Sequence, residues 1–143
     1  MEPDADLLAR LRAFSATAAF NRWCGLEITQ AQAGSVKLTM PWRAELGQYT
    51  GLLHAGVQGA LIDTACGAAA ATLAGPVLAT HYAVNCLRPA VGERFIAEAR
   101  VVKPGRTQIF TTCELYAESA GQRTLVATGD TLLVPAPPPP GMA

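Results

Sequence analysis

The segment Val57 to Leu73, VQGALIDTACGAAAATL, constrains the fold of this chain more than any other. Apolar or small side chains occur all round it at helical spacing, and Asp63 is its only charge. A helix without a polar face belongs enclosed by other elements rather than laid on a surface. Gly59, Ala60, Ala65, Gly67 and the alanines at 68–71 leave room for a sheet or another helix to approach its backbone. Gly75-Pro76 marks its end, because glycine suits the helix cap and proline cannot continue the helix.

The flanking segments supply what could enclose it. Leu7, Leu8, Leu11, Phe14 and Ala18 recur at helical spacing after acidic residues, which predicts an N-terminal helix within 1–20, from about Asp4 to Phe20. The stretch LEITQAQAGSVKLTMP alternates apolar and polar residues on both sides of Ala33-Gly34 and reads as a β-hairpin. Residues 42–53, with Gly47 and Gly51, read as a loop. After the apolar helix come VLATHYAVNCL, GERFIAEARVVK, RTQIFTTCELYAE and QRTLVATGDTLLV, separated by the turn-like RPAVG, PG and SAGQ. These predict a meander of four long strands. With the hairpin they form one antiparallel sheet of five or six strands wrapped around a single helix, an α+β architecture. Residues 1–134 make one domain, and PAPPPPGMA at 135–143 predicts an extended, disordered tail.

Composition narrows the function classes. Among 143 residues, eleven Lys+Arg balance eleven Asp+Glu, which argues against a broad nucleic-acid surface. Half the residues are apolar and 15% are charged, which points to a self-partner covering part of the surface. No apolar run reads as the ~20 residues of a membrane span, so no membrane role is expected. The start, MEPDADLLARLRAF, lacks the basic-then-apolar pattern of a signal peptide and predicts a cytoplasmic protein with reduced thiols. Cys24, Cys66, Cys86 and Cys113 lie far apart with only two histidines to join them, so no zinc site is expected and the cysteines read as small buried hydrophobes.

Two residues carry the chemical interest. Asp63 either sits at a wet edge of its helix, caps a neighbouring turn, or faces a cleft, where burial would raise its pKa toward that of a useful base. His54 stands just before the helix, where free backbone N–H groups and the positive dipole end attract a developing oxyanion. Its alternative role is to hold the loop by hydrogen bonds. Gln48 adds a neutral amide able to orient a carbonyl or a water. No serine or cysteine here has the surroundings of a catalytic triad, and the glycine spacing of a P-loop is missing.

With those residues in place, GQYTGLLHAGVQGALIDTACG resembles the signature of hotdog-fold acyl-CoA thioesterases, the class of the phenylacetate-pathway and 4-hydroxybenzoyl-CoA thioesterases. That signature runs Asn or Gln, five residues, His-Gly-Gly, then an acidic residue nine after the histidine. Gln48, His54, Gly56 and Asp63 stand at those spacings. LRPA at 87–90 followed by Gly92, and VVKPGRT at 101–107, extend the likeness over about 25–134. The resemblance implies a hotdog fold, a homodimer or a dimer of dimers joined through its sheets, and active sites between subunits. It implies acyl-CoA hydrolysis with no cofactor, the CoA thioester being the substrate, and leaves the acyl group open between aromatic and medium-chain. Asp63 would be general base or nucleophile. Gln48 and the helix start at Ala55 and Gly56 would come from the other subunit, with the Ala55 N–H polarising the thioester carbonyl and His54 fixing the loop. Lys103 and Arg106, with Arg88, would meet the CoA phosphates, or else solvate a hairpin.

The chain departs from the pattern in three places. Ala55 stands where glycine is usual, and Gly67 has no side chain where one relative type supplies a hydroxyl. A strand hydroxyl would fall at Ala79, or at Thr80 if the register slips by one residue. These departures keep open a non-catalytic acyl-CoA binding protein of the same fold. Hydratase chemistry fits less well: no Asp precedes His54 in its loop, and His81 has no acidic neighbour.

Overall fold

The computed structural model describes residues 4–137. Asp4 caps the first helix, α1 (Ala5–Ser15), its carboxylate accepting from the Leu7 N–H at 3.0 Å. The predicted single N-terminal helix is instead two, α1 and α2 (Ala19–Cys24). Side chains from the following turn and from α2 take up the carbonyls at the end of α1. Thr17 Oγ1 donates to Phe14 O at 2.7 Å, Asn21 Nδ2 to Ser15 O at 3.3 Å, and an Arg22 guanidinium nitrogen to Ala16 O at 2.6 Å. Those bonds replace the helical ladder and turn the chain.

The hairpin follows as expected, β1 (Glu27–Gln32) and β2 (Ser35–Pro41). The loop after it holds one short 3-10 turn, Ala44–Leu46. The central helix α3 (Ala55–Ala74) starts two residues before and ends one residue after the apolar run. Gly75 closes it at φ 71°, a left-handed conformation that a side chain would strain. Then come β3 (Val77–Cys86), β4 (Arg94–Lys103), β5 (Ile109–Ser119) and β6 (Gln122–Pro135). The last strand includes Pro135, which pairs with Val77, and Ala136 N–H donates to Pro76 O at 2.9 Å. The expected tail therefore begins inside the sheet. Its residues 138–143 lie outside the described residues.

The six strands form one antiparallel sheet in the order β1-β2-β4-β5-β6-β3. This corrects the four-strand meander. β4, β5 and β6 do follow one another, but β3 pairs with β6 at the far edge and β4 pairs with β2. Alternation of apolar and polar residues does not say which strand a given strand will pair with, so strand order is not legible in a short stretch.

α3 touches every strand and buries Gln58, Gly59, Leu61, Ile62, Ala65, Cys66, Ala69 and Ala70 against the inner face of the sheet. By length and mean hydropathy this 20-residue helix reaches the size of a membrane span, contrary to the sequence expectation; its packing identifies it as the core helix of the domain. Phe95, Leu38, Met40 and Leu115 close the core around it. Cys24, Cys66 and Cys113 are buried as expected, but Cys86, at the end of β3, is exposed.

Close approach has a measurable consequence at Gly129 on β6. A Cβ there would lie 2.7 Å from Ile62 Cγ2 and 2.8 Å from the Ala83 carbonyl oxygen. Gly129→Ala is expected to destabilise the domain by about 1–3 kcal/mol, as overpacking does, read as a lower midpoint in chemical denaturation.

Candidate active site

The start of α3 is held by its own loop. His54 N–H donates to Leu46 O at 3.0 Å, Leu53 N–H to Ala90 O at 3.0 Å, and Gln48 N–H to Leu52 O at 2.8 Å. His54 is the N-cap, and its Nδ1 accepts from the Gly56 N–H at 2.8 Å, which leaves the proton of the neutral ring on Nε2. Its imidazole therefore fixes the helix entry.

The same contacts decide which first-turn donor is available. Val57 and Gln58 N–H both donate to His54 O, at 2.9 and 3.0 Å, and Gly56 N–H is taken by the His54 ring. Among the described residues the Ala55 N–H has no acceptor. It is exposed at the positive end of a 20-residue helix, where partial charge accumulates. Ala55 is not among the residues at positive φ, so alanine fits the position of the usual glycine without backbone strain.

Ala55 opens onto a cleft of about 300 Å³ that also involves Gln48, Leu53, Gln58, Cys86 and Arg88. Three of the sequence candidates thus meet in one place: Gln48, Ala55 and Arg88. Arg88 Nη1 donates to Leu125 O at 2.8 Å, so its guanidinium is partly engaged at the rim. Gln58 and Cys86 are the cleft residues that sequence reasoning missed. Gln58 had one visible signal, its place three residues after Ala55 on the same side of the helix.

Asp63 stands elsewhere. Eight residues along the helix from Ala55, it is displaced by about 12 Å at 1.5 Å per residue, too far for both to act on one carbonyl within a single chain. Its side chain is half-buried and has no hydrogen-bond donor among the described residues. Burial alone raises its pKa above the ordinary aspartate value. It sits beside the less buried face of α3, with Ala60, Thr64 and Gly67.

The strand hydroxyl resolves into a β-bulge. The β3–β6 register shifts between Ala79 and His81. Ala79 pairs with the buried Leu133, while Thr80 is the extra residue and donates its hydroxyl to Leu132 O at 3.3 Å. Lys103, the last residue of β4, and Arg106, in the turn after it, lie far from the cleft, toward the C-terminal end of α3, where Gly34 N–H donates to Thr72 Oγ1 at 2.7 Å and Val101 packs beside Ala70. Among the described residues Lys103 Nζ reaches only Pro104 O, at 3.4 Å. Among the described residues no group of three or more His, Cys, Asp or Glu side chains is placed to hold a metal ion.

Comparison with known proteins agrees with this architecture. The family model described as Thioesterase superfamily matches residues 50–124, more than half of the chain and the whole of α3. A thioesterase family protein from Silicibacter pomeroyi is 37% identical, with a TM-score of 0.86 over 90% of this chain and 96% of that one. The PaaI protein of the E. coli phenylacetic acid degradation operon shares the fold at 20% identity, with a TM-score of 0.79 over 91% of this chain and 96% of that one. A Halobacterium salinarum protein named as an esterase is 35% identical over 91 residues, 58% of this chain and 60% of its own length. With the antiparallel sheet closed around one long helix, the fold is the hotdog fold, and the chain belongs to the Thioesterase superfamily.

Proposed function

We propose that this protein hydrolyses acyl-CoA thioesters in sites built between two copies of the chain. The observation that carries the reading is the pairing of an unengaged Ala55 N–H at the start of α3 with a half-buried carboxylate, Asp63, that one chain cannot bring to the same carbonyl. A second copy supplies the missing half. Support for such a copy comes from β3, an edge strand of ten residues that is mostly exposed. Leu78 and Tyr82 are 59% and 52% exposed along it. An apolar edge of that length invites pairing with another strand.

In this reading Ala55 N–H from one subunit and Gln48 beside it hold the thioester, while Asp63 approaches from the other. As general base, Asp63 takes a proton from water as the water oxygen attacks the carbonyl carbon. The oxyanion that forms is held by Ala55 N–H, and its collapse breaks the C–S bond and expels the thiolate, which is then protonated. As nucleophile, Asp63 would form an anhydride that water opens afterwards. Single turnover in ¹⁸O-water separates the two, since only the nucleophilic route places label in the Asp63 carboxylate.

The direct test is a panel of aromatic and medium-chain acyl-CoAs with a thiol-trapping dye. Thiol release supports hydrolysis, and tight binding without release would make the protein an acyl-CoA binding module instead. Lys103 and Arg106 are the proposed contacts for CoA phosphates, reaching the thioester only from a second subunit; Arg88 at the cleft rim is a third. Lys103→Ala combined with Arg106→Ala is expected to raise KM for acyl-CoA about tenfold, the scale of one or two exposed charge-assisted contacts, with kcat nearly unchanged. A pantetheine thioester without phosphates should show no such change.

A further inference from the structure

Gln58 is 4% exposed, and only half of its side-chain amide is satisfied. Nε2 donates to Leu53 O at 3.2 Å, while Oε1 is buried with no partner among the described residues. The orientation is not interchangeable, because turning the amide would set Oε1 against the Leu53 carbonyl oxygen. A buried carbonyl oxygen without a donor is a destabilising arrangement that native proteins rarely keep without a ligand or a water to complete it. Gln58 lines the same cleft as Ala55 and Gln48 and stands three residues after Ala55 on the same side of α3.

We propose that Gln58 Oε1 accepts a hydrogen bond from the amide N–H of the substrate's thiol arm. This deepens the thioesterase reading and rests on it. A thioester group has acceptors but no donor of its own. In a pantetheine arm, whether on CoA or on a carrier protein, the first donor along the thiol side is the amide N–H two methylenes from the sulfur. With the carbonyl held at Ala55 N–H, that N–H falls within reach of a side chain one turn further along the helix. Gln58 then selects the thiol rather than the acyl group, favouring pantetheine thioesters over those of simple thiols.

The test compares one acyl group on three thiols: N-acetylcysteamine, its N-methyl amide analogue, and propanethiol. Wild-type protein should prefer the first over both others in kcat/KM by about 10- to 100-fold, the range for leaving a buried acceptor unpaired. Gln58→Met, similar in length but without the amide oxygen, should lose that preference, so that its kcat/KM values on the three thiols fall within about twofold of one another. Each preference is a ratio within one protein sample, so partial misfolding of a variant does not affect it. The N-methyl comparison needs no variant at all.

Equal wild-type rates on N-acetylcysteamine and its N-methyl analogue would overturn the proposal. So would an equal loss on all three thiols in Gln58→Met, which would give Gln58 the attacking water or a purely structural part. Absence of hydrolysis of any thioester would instead count against the thioesterase reading. The same acyl group on CoA and on a carrier protein, run side by side, tells which source of the arm the protein uses.

Discussion

Asp63→Asn is expected to lower acyl-CoA turnover by about 10²–10⁴-fold, the span usually lost with a positioned general base, while the variant remains folded and assembled. Its thermal stability should move the opposite way. Burial raises the Asp63 pKa and supplies no compensating partner, so the folded chain disfavours the ionised form. The favourable contribution of the protonated carboxyl is fully present below the unfolded aspartate pKa of 3.8 and is lost as pH rises through the raised folded value. At neutral pH the charged carboxylate is therefore a net cost, which Asn removes. Tm measured from acid to neutral pH should show wild type falling relative to Asp63→Asn as the pH rises. In the proposed mechanism Asp63 acts in its ionised form, so the acid limb of kcat/KM should lie above the ordinary aspartate value. A variant with full activity, or with a lower Tm at neutral pH and a normal fold, would remove Asp63 from the role assigned to it.

The second large effect is expected at Ala55, where proline deletes the N–H and leaves the backbone in place. The first helical position favours proline, and His54 already holds φ −60° and ψ 135°, the extended region that a residue before proline needs. The Ala55 N–H also has no acceptor to lose. Ala55→Pro should therefore keep its circular dichroism and Tm but lose about 10²–10³-fold in kcat, as when one oxyanion donor is removed.

Because Asp63 and Ala55 are assigned to opposite subunits of a site, the two variants should complement. Co-expressed Asp63→Asn and Ala55→Pro chains form mixed dimers in which one of the two sites keeps both groups, so about a quarter of wild-type activity is expected from a random mixture. If both groups served one chain's own site, mixing would restore nothing.

Much of this was legible in the sequence because it is local. The ends of α3 follow from His54 and Gly75, and the Ala33-Gly34 hairpin follows from alternation across a two-residue turn. The break between α1 and α2 was missed because it depends on Thr17, Asn21 and Arg22 reaching back to carbonyls, contacts that helical spacing does not reveal. The candidate site divided in the same way. That His54 caps α3 and that the Ala55 N–H is left without an acceptor are helix-terminus properties, and the glutamine six residues before the cap shares the cleft with Ala55. The place of Thr80 turned on a bulge, set by pairing with a strand about fifty residues away.

The sequence by itself determined that a nearly uncharged helix with one carboxylate lies at the centre of an antiparallel sheet, because burying an all-round apolar helix leaves few other arrangements. It also determined where that helix begins, since capping depends on residues a few positions apart. Only the tertiary structure decided that β3 sits at the sheet edge beside β6, that Arg88 shares a cleft with Ala55 while Lys103 and Arg106 lie at the other end of α3, and that Gln58 Oε1 has no donor. Strand order and hydrogen-bond satisfaction are set by contacts between distant residues, which the folded chain selects together and no short stretch specifies alone.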